Sequence, residues 1–91
     1  MMTHSNEMVW QKVNSSQIAE VGYNPANRTL GIRFPAGKRS PASEYHYTGV
    51  SPEVHHELVT ADSVGSYFGR YIKSRADLYP YAKQEVKDAG V

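Results

Sequence analysis

A chain of 91 residues, 40% hydrophobic and 21% charged, has the composition of one small soluble domain with a modest core. It has no cysteine, which excludes a disulfide framework, a thiolate nucleophile and cysteine-ligated zinc. A net charge of +1 argues against non-specific coating of a polyanion, and no apolar run approaches the roughly 20 residues of a membrane span.

The opening residues 1–12 are polar apart from their methionines, Val9 and Trp10, and read as an arm that docks through Trp10. They lack the basic and apolar regions of a signal peptide, so a cytoplasmic location is expected. Ile18 to Tyr23 alternates with a period of two and predicts a strand. Asn24-Pro25-Ala26-Asn27 is a turn: proline presets φ, and either asparagine can accept a left-handed conformation. The return strand, Arg28 to Phe34, sets Leu30, Ile32 and Phe34 on one face. Residues 35–43 hold two prolines and a glycine and predict a long connection. Alternation resumes from Glu44 to Val50, with Tyr45 and Tyr47 on one face and His46 on the other.

Ser51-Pro52-Glu53 predicts a helix start, with serine as cap, proline in the first turn and an acid at the positive end of the dipole. Val54, Leu58 and Ala61 form its apolar stripe; Val64, Tyr67, Phe68, Tyr71 and Ile72 form that of a second helix capped by Asp62 or Ser63. Gly65 and Gly69 predict a close backbone contact along one side of this helix. The chain turns at Tyr79-Pro80-Tyr81, and residues 82–91 form a polar tail. The expected fold is α+β: a three-stranded antiparallel meander covered on one face by two C-terminal helices.

The ordered features Ser15-Ser16, Gly22-Tyr23, Leu30, Ile32, Phe34 and Tyr45-His46-Tyr47 resemble the KTSC domain. Val50-Ser51-Pro52, Ala61-Asp62-Ser63, Gly65, Tyr67-Phe68 and Tyr79-Pro80-Tyr81 extend the resemblance over residues 13–81. This domain occurs at the C-terminus of some lysyl-tRNA synthetases and alone in bacteria and their phages. The resemblance implies a bacterial or phage-infected cytosol and suggests RNA binding; with no synthetase portion here, that association does not carry over. Members join the second and third strands tightly after a glycine, whereas here a basic stretch follows Gly37, making the loop a candidate for a protein-specific role.

Seven tyrosines are the main functional clue. Tyr45 and Tyr47, about 6–7 Å apart along a strand, suit successive bases if they face out, and supply core area if they face in. Arg33, Lys38 and Arg39 form one basic cluster; Arg70, Lys73 and Arg75, with Tyr71, form another. Basic and aromatic side chains together suit a phosphate-containing ligand, although a helix C-terminus attracts cations for structural reasons too. Adjacent His55 and His56 point apart on a helix and make no metal pair, and no nucleophile–base set is recognisable. The expectation is a non-enzymatic module without metal or cofactor, binding single-stranded RNA or a small nucleotide through these nine residues, which could sequester it, and a homo-oligomer could supply a shared pocket. The alternative is a protein–protein adaptor or structural homo-oligomer using an aromatic surface.

Overall fold

Two strands, Glu20–Asn24 and Thr29–Phe34, form a hairpin in which Val21 faces Ile32 and Tyr23 faces Leu30, all four buried. The Asn24 side chain closes the turn, its Oδ1 accepting from the Ala26 amide at 2.9 Å. The left-handed residue is Arg28, at φ 55°, rather than Asn24 or Asn27, because it is the position at which the chain re-enters the ladder.

A computed structural model of the chain describes residues 8–38 and 40–84. The sheet has five antiparallel strands in sequence order: β1 (Val9–Lys12), β2 (Glu20–Asn24), β3 (Thr29–Phe34), β4 (Ser43–Tyr47) and β5 (Tyr81–Gln84). The three-stranded expectation is corrected at both edges. Val9–Lys12 of the supposed arm are β1, residues 1–7 of it lying outside the described residues, and the start of the supposed tail is β5, which pairs Tyr81 with Tyr47 and Gln84 with Glu44. The rest of that tail, from residue 85, and Arg39 lie outside the described residues.

Between β4 and β5 the chain builds its helical cover. Ser51 caps α1 (Pro52–Val59), its Oγ accepting from the Val54 amide, and Pro52 occupies the first turn. Ser63 caps α2 (Val64–Tyr67) in the same manner, accepting from Ser66. From Phe68 to Lys73 the helix widens into a π-helical turn, a rare geometry that enriches at functional positions. Leu58, Val64, Phe68 and Ile72 descend from these helices onto Val21, Leu30, Ile32 and Tyr47, making one core. Tyr71, expected in the apolar stripe, is half exposed against Tyr67, which the widened turn permits.

The expected backbone contact at Gly65 and Gly69 is not found. A Cβ at Gly65 would meet the side chain of Gln17, and one at Gly69 would meet open space. The close approaches are instead at Gly22 and Gly31, cross-strand partners over which Trp10 lies. A Cβ on Gly22 would sit 2.6 Å from the Trp10 ring, and one on Gly31 2.6 Å from it and 2.7 Å from Met8 Sδ. Only glycine lets that ring rest on the sheet at these two positions.

Candidate functional site

Strand register sorts the side chains of each face into rows. On the helix-covered face, Tyr23, Leu30, Tyr47 and Tyr81 form one row, and Val21, Ile32, Tyr45 and Lys83 the next. Towards β5 this face becomes aromatic. The Tyr81 ring centroid lies 5.7 Å from that of Tyr45 and 5.5 Å from that of Tyr47, and Tyr45 meets Phe34 edge-on at 5.8 Å.

The helices stop short of covering these rings completely. A cleft of about 330 Å³ remains, lined by Phe34, Tyr45, Tyr47, Tyr81, Lys73 and Ala76. Lys73 ends the π-helical turn, whose preceding residue Ile72 is fully buried, so the turn anchors the lysine backbone at the cleft. Burial, reinforced by the neighbouring Tyr45 and Tyr81 hydroxyls, pushes Tyr47 up to about 12. Its phenol therefore stays protonated at neutral pH. The cleft can thus offer ring faces and edges, phenolic donors and one ammonium group.

The other face of the sheet is held by a different arrangement. Trp10, Gly22, Gly31, His46 and Ala82 form its middle row. Arg33 places its guanidinium carbon 3.7 Å from the Trp10 ring centroid. The same guanidinium donates from Nη1 to Glu20 at 2.7 Å and from Nε to Glu44 at 3.0 Å. The second oxygen of Glu44 lies 2.7 Å from His46 Nε2. Burial alone raises Glu44, but the hydrogen bonds and charges of His46 and Arg33 outweigh it and hold the carboxyl below its ordinary range.

Of the nine residues singled out in the sequence, three converge: Tyr45, Tyr47 and Lys73 line the cleft. The outward-facing reading of the tyrosine pair is corrected. Tyr47 is 3% exposed and packs against Phe68, and Tyr45 is half buried, because the row they occupy is the one the helices cover. Arg33 is on the opposite face and is satisfied by two carboxylates, so it does not join them. Arg75 reaches Asp77 at 3.5 Å, both exposed; Arg70, Tyr71 and Lys38 are exposed and do not line the cleft. The expectation that Arg33 binds the ligand together with the other eight residues is therefore corrected, since strand parity sends it to the other side.

Two residues escaped sequence reading. Tyr81 reads as a turn residue in the sequence, because a four-residue edge strand after a proline leaves no alternation to detect. The docking of Trp10 was expected, but not its seat. The signal was present in two strand glycines, which mark close approach of another group. Among the described residues no cluster of three metal-binding side chains occurs. His55 instead stacks on Tyr23, ring centroids 4.5 Å apart, and its burial lowers its pKa.

Fold and cleft together define a small α+β domain in which a five-stranded antiparallel meander carries a helical pair on one face. The chain belongs to the KTSC domain family, whose model matches residues 14–75. It is similar to a crystal structure of a KTSC domain protein from Yersinia pestis, with a TM-score of 0.72 and 33% identity, covering 87% of this chain and 100% of that one. A protein of Tsukamurella paurometabola is 38% identical over 65 residues, 71% of this chain and 90% of its own length. An uncharacterized protein of Stutzerimonas stutzeri is 34% identical over 61 residues, 67% of this chain and 79% of its own length. The family match starts after β1 and ends before β5, so Trp10 and Tyr81 lie outside it. No helix among the described residues is long and apolar enough to cross a membrane.

Proposed function

We propose that this domain is a non-enzymatic binding module whose cleft takes a small nucleotide. The observation that supports this reading is the placement of Lys73 beside Tyr45, Tyr47 and Tyr81 around about 330 Å³ of open space. A nucleobase has a flat π-face for a tyrosine to meet and ring edges for phenolic hydroxyls, while its phosphate needs a cation within reach. A single lysine suits one phosphate group better than a long chain of them. For single-stranded RNA a continuous basic track is needed, and Arg33 is on the far face, engaged with Glu20 and Glu44.

The test is equilibrium titration with nucleoside monophosphates, alongside absorbance and light scattering of protein purified without nuclease. Binding is expected to weaken as salt rises, since the phosphate contact is a solvent-accessible ion pair. Lys73→Ala and Tyr81→Ala are each expected to weaken it about tenfold or more, the ring through lost stacking. Both residues are exposed, and because Tyr81 also packs on Tyr45 and Tyr47, thermal unfolding of each variant checks that the fold is kept. Binding unchanged in both variants contradicts the reading. An assembled protein that carries no nucleotide and dissociates in Tyr81→Ala instead favours a homo-oligomer built on the aromatic surface.

A further inference from the structure

The uncovered face of the sheet contains a larger concavity, about 630 Å³, which shares only Tyr81 with the lining of the cleft. Its lining includes Trp10, Asn24, Asn27, Thr29, His46 and Thr48. By register Trp10, Asn24, Thr29 and His46 belong to the rows opposite the core, with Trp10 facing Gly22, Asn24 facing Thr29 and Gly31 facing His46.

Asn24 sits on the lining yet is only 1% exposed. Its Oδ1 is committed to the Ala26 amide, which fixes the orientation of the side-chain amide. Around it the hydroxyls of Thr29 and Thr48 donate to backbone carbonyls at 3.5 and 3.4 Å, leaving both oxygens able to accept. His46 spends Nε2 on Glu44, so Nδ1 remains for another partner. The charged groups are engaged with one another, two carboxylates to one guanidinium: Glu44 is bound by Arg33 and His46, and Arg33 by Glu44 and Glu20. No unpaired cation lines the concavity among the described residues. A phosphate therefore finds no countercharge, and a lipid chain finds too many polar groups. What remains is a neutral ligand with closely spaced hydroxyls and some apolar C–H surface, the latter meeting Met8, Trp10 and Ala82.

We infer that this concavity is a binding site for a neutral sugar, with Asn24, Asn27, Thr29, His46 and Thr48 meeting its hydroxyls. Its volume falls within the range of small-molecule sites. Each sugar hydroxyl both donates and accepts, which matches a wall that alternates amide donors with hydroxyl and imidazole acceptors.

Trp10 is the sole tryptophan and lines the concavity, so its fluorescence reports occupancy directly. The probes are maltotriose, cellotriose and chitotriose, titrated to millimolar concentration and followed by Trp10 emission and backbone amide shifts. At least one is expected to give a saturable, salt-insensitive response with shifts at Asn24, Thr29 and Thr48. The double variant Asn27→Ala/Thr48→Ala, at two exposed positions, is expected to weaken it about tenfold with thermal unfolding unchanged. No saturable response to any of the three overturns the inference. So does a response that the double variant leaves intact, or one that adenosine monophosphate elicits at these amides instead. Because Lys73→Ala leaves this face untouched, failure here and failure of the nucleotide reading are separately visible.

Discussion

On β3, Leu30 and Ile32 are fully buried beneath the helices, while Gly31 between them and Arg33 beyond face the opposite side beside Trp10. The two faces of one sheet are thus held by different physics. The helix-covered face is stabilised by apolar area and aromatic packing, with Val21, Leu30 and Ile32 inaccessible to water. The uncovered face has no second layer among the described residues. It substitutes a ring laid on glycine, a guanidinium beside that ring and two carboxylates that hold the guanidinium. A pleated strand can serve both because alternate residues never share a side.

The sharpest way to break this contrast is to change one residue on each face. Ile32→Ala, at a site with no exposure, is expected to lower stability by about 2–5 kcal/mol in urea unfolding, since it removes transfer energy and leaves a cavity. On the other face the damaging change is an addition. Gly31→Ala forces a methyl group into Trp10 and Met8 and is expected to destabilise by about 1–3 kcal/mol. In a Trp10→Ala background the same change is expected to cost less, with Met8 Sδ the obstacle that remains, and that non-additivity measures the part played by the ring.

Acid should distinguish the faces more gently. Glu44 has its carboxyl held below the ordinary 4.5, so its contribution is full above the unfolded value and is lost as pH falls through the folded one. Unfolding free energy measured at neutral and mildly acidic pH should drop less in Glu44→Gln than in the parent chain. An equal drop in both removes Glu44 from the account. The smallest effect is expected at Gly69, where a Cβ meets nothing. Gly69→Ala should change stability by no more than about 1 kcal/mol, towards stabilisation, through the lower conformational entropy of the unfolded chain.

The sequence carried the centre of the fold better than its edges. Period-two alternation marks β2, β3 and β4 because each buries one side, and the Ser51 and Ser63 caps mark both helix starts. Strands β1 and β5 are four residues each and largely exposed, so burial imposes no pattern on them, and only pairing with a neighbour makes them strands. The π-helical turn is equally hidden, since Phe68 and Ile72 keep a spacing that an ordinary helix also shows. For the candidate site, Tyr45, Tyr47 and Lys73 were legible as residue types. Their joining with Tyr81 was not, because it depends on β5 folding back beside β4. Arg33 looked like a phosphate ligand for want of knowing its neighbours, Glu20 and Glu44, which only the strand register supplies.

The cleft beside Lys73 is tested most directly by mapping backbone amide shifts during a titration with adenosine monophosphate. The account predicts saturable shifts concentrated at Tyr45, Lys73, Ala76 and Tyr81, fading in Lys73→Ala. Shifts gathered instead around Arg33 and His46, or none at millimolar nucleotide, would contradict it.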